Sequence, residues 1–301
     1  MSSASTDTQL QPAGPRFASC PACGGTEFAP FAKHIDAFRP PETWQDFFYG
    51  SRETLGPIDA CEACGFHFLR HPSERAEHFY RTAEADDYLQ LEPQRDKYFR
   101  KLLDDAIKNA PEIADYTRAI DYGCAAGNWL AQFPDSVERI GVELNADFDP
   151  VLAGKGIKKV ERADAIDFDR PAVISAFDFV EHMEEPLDFL RELAALPHAD
   201  ASAFVFGVPD LGRVWAKMLG SRYYLYCPMH FNYFDADTIT GICERAFPNH
   251  RVLTFNSPIM HTNLDGVLKW IAPKLGDGPL GKIDLPIGYR SNVIALAVPK
   301  S

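Results

Sequence analysis

The stretch Ala119-Ile-Asp-Tyr-Gly-Cys-Ala-Ala-Gly-Asn128 places an apolar run, an acid and a glycine-containing turn directly before a helix-like segment, Asn128 to Phe133. Such a turn joins a strand to a helix N-terminus and lets a ligand approach bare backbone. Two familiar phosphate-binding patterns do not fit. A P-loop requires Lys and Ser or Thr after its last glycine, and a dinucleotide site requires Gly-x-Gly-x-x-Gly. This chain has Gly123-Cys-Ala-Ala-Gly127 followed by Asn128-Trp129.

Three apolar segments downstream also end in, or close to, an acid. They are Arg139–Glu143, Lys159–Ala165 and Ala172–Asp178. Glu143 lies 22 residues beyond Asp121, where an acid in a doubly wound sheet can accept hydrogen bonds from both ribose hydroxyls. Ligands of open α/β sheets lie beyond the carboxyl ends of the strands. We therefore expect Asp121, Glu143, Asp164 and Asp178 to line one cleft.

The segment after the fourth strand adds a second motif, Phe179-Val-Glu181-His182-Met-Glu-Glu-Pro186-Leu187. With Asp-x-Gly-x-x-x-Gly and the acids in this order, the chain resembles class I S-adenosylmethionine (SAM)-dependent methyltransferases. The resemblance implies a Rossmann-like, doubly wound α/β fold with a mainly parallel seven-stranded sheet. It also implies an enzyme that uses SAM and releases S-adenosylhomocysteine.

The resemblance assigns cofactor roles to the residues at the strand ends. The backbone from Gly123 to Gly127 would approach the amino-acid part of SAM, Glu143 would hold the ribose, and Asp164 with the Ala165 backbone would meet the adenine. The remaining cofactor-binding residues that it implies are Asp121 and Asp178.

Two histidines are the candidate catalytic residues. His182 follows the fourth strand at the mouth of the cleft, and His230 lies in Tyr226-Cys-Pro-Met-His-Phe-Asn-Tyr233-Phe. This segment resembles the His-x-x-Tyr-Phe segment over the acceptor in sugar C-methyltransferases and related natural-product enzymes. Some of those carry a glutamate before the histidine, where this chain has Met229. The alternative is that both histidines only brace their loops.

Four of the seven cysteines form two Cys-x-x-Cys-Gly motifs. Two such motifs supply four thiolates at tetrahedral geometry, which suits structural zinc. Two disulfides and a redox pair are the alternatives, and a cytoplasmic location together with the duplicated motif favours zinc. The predicted ligands are Cys20, Cys23, Cys61 and Cys64.

These motifs predict the domain organisation. A disordered tail (1–14) precedes a zinc-binding module (15–68) and a helical connector (69–110). The methyltransferase domain (111–301) contains an aromatic-rich, lid-like insertion (210–235). The formal charge is −13 and no apolar run approaches membrane-spanning length, so we expect a cytoplasmic protein without a membrane partner.

Three functions remain open at this point. The first is methyl transfer to a small molecule, such as a nucleotide-linked sugar or a secondary metabolite, at C, O or N. An RNA methyltransferase with a zinc-ribbon reader is the second, but Phe17 to Leu69 carries three Lys or Arg against seven Asp or Glu, so no nucleic-acid partner is expected. The third is a non-catalytic SAM-binding partner subunit. The oligomeric state is not predicted.

Overall fold

The computed structural model describes residues 17–31, 56–70, 76–82, 89, 92–219, 225–262, 287–289 and 292–300. The predicted disordered tail, 1–14, lies outside these residues. So do parts of the predicted connector and residues 220–224 of the predicted insertion. Within the described part of the chain, no helix is both long and apolar enough to cross a bilayer.

The central element is a seven-stranded sheet with the strand order β10-β13-β8-β7-β4-β5-β6. Neighbours from β8 to β6 run parallel, whereas β13 is antiparallel to both β8 and β10. The mainly parallel, Rossmann-like α/β prediction is confirmed. The strands are β4 Arg118–Tyr122, β5 Glu138–Val142, β6 Lys158–Val160, β7 Val173–Phe177, β8 Ala203–Pro209, β10 His250–Asn256 and β13 Asn292–Pro299.

The strands in the middle of this sheet are buried on both faces, which explains the continuous apolar sequence of β8. Every residue of β4 and of β8 is buried, as expected for parallel strands covered on both faces. The chain starts the sheet at β4, extends one way through β5 and β6, and then returns to β7 on the other side of β4. Ligands of such sheets bind where the strand order reverses. The predicted cleft therefore lies at the carboxyl ends of β4 and β7.

Helices cover the sheet with the expected amphipathic spacing. Leu102 and Ala106 of α2 are fully buried, and Pro186 occupies the first turn of α4 as predicted. Asp235 caps α6 through a reciprocal pair of hydrogen bonds with Thr238. The helices are α1 Ala76–Thr82, α2 Glu92–Asn109, α3 Asp149–Gly154, α4 Pro186–Ala194, α5 Val214–Leu219 and α6 Ala236–Ala246.

A predicted helix and a predicted strand are shorter in the structure than the sequence indicated. The helix-like segment Asn128 to Phe133 contains only a 3₁₀ turn at Leu130–Gln132. Phe133 is extended (φ −76°, ψ 147°), because the ring of the following proline, Pro134, disfavours helical backbone before it. The predicted third strand ends at Val160, and its acid lies in a separate 3₁₀ turn, Ala163–Ala165.

A second, antiparallel sheet joins the cysteine motifs to the main domain. Its strand order is β1-β2-β3-β9, so a strand from the predicted insertion completes the sheet of the predicted zinc module. The rings of Phe66 and Phe234 are 5.0 Å apart, and Phe17, Phe66 and Phe68 share one core cluster with the main domain. The strands are β1 Phe28–Pro30, β2 Ile58–Cys61, β3 His67–Leu69 and β9 Asn232–Tyr233, with a separate pair β11 Met260–Thr262 and β12 Ile287–Tyr289.

Candidate functional site

The loop after β4 forms a cradle that only glycine can build. Gly123 and Gly127 have φ of +68° and +70°. A Cβ at Gly123 would lie 2.5 Å from Cδ2 of Phe179, and one at Gly127 would lie 2.5 Å from Cδ1 of Ile157. Both glycines are therefore required by backbone conformation and by close packing. Ala125, between them, also has a positive φ of 45°.

Glu143 holds this loop from the end of β5. One carboxylate oxygen accepts from the backbone N–H of Ala125 at 2.9 Å, and the other accepts from that of Asn145 at 2.8 Å. A carboxylate oxygen has two lone pairs, so each oxygen can accept a further hydrogen bond from a ribose hydroxyl. Glu143 thus fits the ribose role and also stabilises the left-handed conformation of Ala125.

Asp121 lies behind the loop and is 4% exposed. The hydroxyl of Ser175 donates to Asp121 Oδ1 at 2.7 Å. Burial raises the pKa of Asp121 to about 7, the Ser175 hydrogen bond opposes this rise, and the negative charge of Glu143 adds to it. The burial of Asp121 suits a residue that positions the cofactor loop from within the fold.

The remaining predicted cofactor residues differ in how firmly they are held. Asp178, directly after β7, has a φ of +48° and accepts from Asn292 Nδ2 at 2.6 Å. Asp164 has a side chain that is 74% exposed, 3.4 Å from Arg162 Nε. Ala165 ends the 3₁₀ turn, and its amide donates to the Arg162 carbonyl at 3.2 Å. Asp178 is fixed by its neighbours, whereas Asp164 is open to solvent.

His182 and His230 come from different segments and meet below the surface. Their ring centroids are 5.1 Å apart. Nδ1 of His182 lies 2.7 Å from the Met229 carbonyl, and Nδ1 of His230 lies 2.7 Å from the Leu225 carbonyl. A carbonyl only accepts, so Nδ1 carries the proton in both rings and Nε2 keeps its lone pair. Burial lowers the pKa of His182 to about 4 and that of His230 to about 3, so both are neutral at pH 7.

Glu181 and Tyr80 complete this histidine cluster. Glu181 is fully buried, and Oε1 lies 3.8 Å from Nε2 of His182. Among the described residues no side chain donates a hydrogen bond to either carboxylate oxygen. Burial raises the pKa of Glu181 well above its usual range, and the charge of Asp178 adds to this. The Tyr80 ring packs edge-on against His182, with centroids 5.4 Å apart.

The four predicted zinc ligands converge at one point. Each offers a sulfur atom within 4.8 Å of the other three. Cys20 and Cys64 have sulfurs 3.8 Å apart, and Cys23 and Cys61 have sulfurs 3.6 Å apart. Four sulfurs bound tetrahedrally at zinc–sulfur distances of about 2.3 Å lie about 3.8 Å apart. All four are free thiols, and the geometry fits zinc.

A family model described as a methyltransferase domain matches residues 92–246. The match spans the cofactor loop, the acids and both histidines. The fold and the glycine cradle define a class I methyltransferase. The chain belongs to this methyltransferase family, and the protein is an enzyme of the SAM-dependent class. No curated protein matches the chain.

Solved methyltransferases share the general arrangement at low identity. A SAM-dependent methyltransferase from Archaeoglobus fulgidus is 19% identical, with a TM-score of 0.45 over 70% of this chain and 98% of that chain. Magnesium protoporphyrin IX methyltransferase from Synechocystis PCC 6803, with bound SAH, is 13% identical, with a TM-score of 0.47 over 74% and 97%. Both TM-scores are below 0.5.

Sequence reasoning missed several residues that shape the site. Ser175 supports Asp121, Phe179 covers Gly123, and Asn292 holds Asp178 from a strand 114 residues away. The isolated Ser175 in an otherwise apolar strand was a usable signal, because a buried hydroxyl needs a partner. The contact of Asn292 depends on the antiparallel placement of β13, which no local pattern indicates.

Proposed function

We propose that this enzyme transfers a methyl group from SAM to a small-molecule acceptor that lies between the cofactor loop and the histidine cluster, Glu181, His182 and His230 with Tyr80. The observation that carries the proposal is the meeting of His182, in the 3₁₀ turn that follows β7, with His230, which lies two residues before β9. Both imidazoles are neutral and have their Nδ1 atoms engaged with carbonyls. Their Nε2 lone pairs are left to face an acceptor.

The cofactor side is built by residues that cannot easily be replaced. When bound, SAM supplies a sulfonium methyl group that a nucleophile can displace. The cradle of Gly123 and Gly127 leaves room for the amino-acid part, and Glu143 holds the loop while retaining lone pairs for the ribose. We assign Asp164 and Ala165 to the adenine, and Asp121 and Asp178 to positioning.

The acceptor side favours a compact substrate. The side chain of His182 is 8% exposed and His230 is 4% exposed, so an acceptor must enter the fold to reach them. This suits a nucleotide-linked sugar or another metabolite better than an RNA chain. Because an SN2 methyl transfer needs a nucleophile aligned and relieved of its proton, one neutral imidazole is suited to accept that proton.

We also propose that Cys20, Cys23, Cys61 and Cys64 bind one structural zinc ion. The spacing of their sulfurs supports this. The amides of Ala22 and Gly25 lie 3.4 Å from Cys20 Sγ and Cys23 Sγ, as expected where backbone N–H groups stabilise thiolates. With four protein ligands, the ion has no open position for substrate.

The test begins with cofactor binding and proceeds to the acceptor. Calorimetry should show micromolar binding of SAM or S-adenosylhomocysteine by the full chain, and folded protein that binds neither would overturn the proposal. Labelled SAM is then incubated with a metabolite extract and, separately, with total RNA. Label in a small organic product supports the proposal, whereas label only in RNA selects the RNA methyltransferase.

The role of the histidines is tested on the labelled product. His182→Gln should lower the rate by about 100-fold, the usual contribution of a general base, with SAM affinity unchanged. His250→Gln is the matched control, because His250 is equally buried but donates to the carbonyl of Ser202, which directly precedes β8 at the opposite end of that strand from the site. Equal rates for the two variants would remove His182 from the acceptor site.

A further inference from the structure

We propose that Glu181, His182 and His230 bind a divalent first-row transition-metal ion, separate from the proposed zinc at the cysteines. This deepens the proposed function, on which its catalytic part rests: with Nε2 of both imidazoles bound to the ion, the metal in place of an imidazole base would promote loss of the acceptor's proton. One ligand atom from each of the three residues lies within 4.8 Å of the other two. Two histidines and one carboxylate are a donor set that such ions prefer.

The first argument is the orientation of the imidazoles. A metal-binding histidine typically donates its other ring N–H to a carbonyl or carboxylate, which fixes the ring. His182 donates from Nδ1 to the Met229 carbonyl and His230 does so to the Leu225 carbonyl, each at 2.7 Å. Nε2 of His230 is therefore left for a metal, and Nε2 of His182, whose ring also interacts with the Asp178 carbonyl, lies 3.8 Å from Glu181 Oε1.

The second argument is the state of Glu181. The residue is fully buried, and among the described residues no side chain donates a hydrogen bond to either carboxylate oxygen. A buried carboxylate without a counter-charge is unfavourable. A metal ion would supply the missing counter-charge and satisfy both oxygens.

The third argument is distance. Glu181 Oε1 and His182 Nε2 are 3.8 Å apart. Two ligands bound at about 2.1 Å with a tetrahedral angle lie about 3.4 Å apart. Side-chain rotations that move Glu181 Oε1 and His182 Nε2 together by a few tenths of an ångström would bring them to this ligand–ligand distance. Because three protein ligands leave positions open, the ion could bind and polarise an oxygen of the acceptor.

Hydrogen bonds to backbone carbonyls also connect the two segments that carry the proposed ligands. The amide of Phe231 donates to the Glu181 carbonyl at 2.8 Å, and Asn232 Nδ2 donates to the Met183 carbonyl. The two segments that carry the ligands are thus joined on both sides of the cluster. Such support is what keeps ligands converged without a metal.

The test is a titration of the full-length protein with Co²⁺. Calorimetry measures the Kd, and absorption spectroscopy identifies the type of ligand. Cobalt at the cysteines gives a thiolate-to-metal charge-transfer band, whereas cobalt bound by nitrogen and oxygen does not. We expect one Co²⁺ per chain that binds without this band. Its Kd should rise at least tenfold in Glu181→Gln and in His230→Gln, and should not change in the matched buried control, His250→Gln.

Two outcomes would overturn the metal site: Co²⁺ uptake accounted for entirely by the thiolate band, or equal Kd values in all variants. Near-ultraviolet circular dichroism and SAM binding establish that each variant is folded, and a second substitution, Glu181→Asp, should retain weaker Co²⁺ binding. The titration needs neither SAM nor acceptor. Its failure would leave the proposed methyl transfer standing, and absent methyl transfer would not remove the metal site.

Discussion

The backbone N–H of Leu69 donates to the carbonyl of Phe231 at 2.7 Å. Leu69 ends the strand that follows the second cysteine motif, and Phe231 directly follows His230. The register continues with Phe68 opposite Asn232 and His67 opposite Tyr233. The four cysteines and the histidine cluster are therefore parts of one hydrogen-bonded unit. A change at the cysteines should reach His230 through β3 and β9.

We predict that loss of the zinc ligands destabilises the protein and disturbs the histidine cluster. Cys61→Ser/Cys64→Ser removes two thiolates. The zinc content, measured by elemental analysis, should therefore fall from one ion per chain to none. A structural site contributes several kcal/mol, and each kcal/mol shifts Tm by about 2 °C in a chain of this size. We expect Tm to fall by about 5 °C or more.

Cys243→Ala is the matched control for this variant. Cys243 is fully buried in α6 and is not part of the group of four converging cysteines. The Cys243→Ala variant should keep its full metal content and lose only the packing contacts of one sulfur atom. A double variant with unchanged metal content would refute the zinc site. Unchanged environment of His230, measured by imidazole NMR signals, would refute the coupling through β9.

Glu143→Ala should weaken SAM binding more than Glu143→Gln. Alanine removes the acceptors for the ribose and also frees the Ala125 amide, whereas glutamine keeps one oxygen for either task. We expect Kd to rise by about 100-fold for alanine and about tenfold for glutamine, since hydrogen bonds to a charged group contribute about 1.5–3 kcal/mol each. Calorimetry with S-adenosylhomocysteine measures both. Asp135→Asn, at a side chain that is 97% exposed, should leave Kd unchanged, and equal Kd values in all three would exclude Glu143 from the site.

Gly123→Ala should impair both stability and cofactor binding. The new Cβ would lie 2.5 Å from the Phe179 ring, and a left-handed non-glycine residue costs about 1–2 kcal/mol. Urea unfolding should therefore show a loss of more than 1 kcal/mol. Gly154→Ala has nothing within 4 Å of its new Cβ and lies at the end of α3, so it should be neutral or stabilising. Similar losses in both variants would show that the cradle has no special role.

The residues predicted from sequence are those whose chemistry is local. The turn from Gly123 to Gly127, the Asp235 cap, Pro186 in the first turn of α4 and the two cysteine motifs each carry their signal within a few residues. The order of the acids also predicts the sheet, because strand, turn and helix alternate at regular spacing. These features were found where the sequence placed them.

What the sequence did not predict depends on contacts between distant segments. The pairing of β3 with β9 makes the predicted zinc module and the predicted insertion share a sheet, although Phe68 and its partner Asn232 are 164 positions apart in the chain. The exposure of Asp164 is likewise set by the path of a 3₁₀ turn. Neither short strand has enough periodicity to indicate its partner.

Asp121 provides the last prediction, a dependence of stability on pH. Burial raises the pKa of Asp121 to about 7 from its usual 3.8. Between these values the folded state binds more protons at this residue than the unfolded state. The free energy of unfolding should therefore fall as pH rises from about 4 to about 7, by up to about 4 kcal/mol at this residue.

Asp121→Asn keeps the acceptor for Ser175 and removes the charge, so the stability of this variant relative to the wild type should increase across this range. Ser175→Ala removes the one hydrogen bond that opposes the rise, so the pKa should rise further and the pH at which the loss is complete should move upward. Urea midpoints at intervals from pH 5 to pH 8 measure both effects, and the difference between wild type and Asp121→Asn cancels the contributions of other groups. A constant difference across that range would show that Asp121 is ionised throughout, and that Glu143 and Asp121 carry two negative charges behind the cofactor loop.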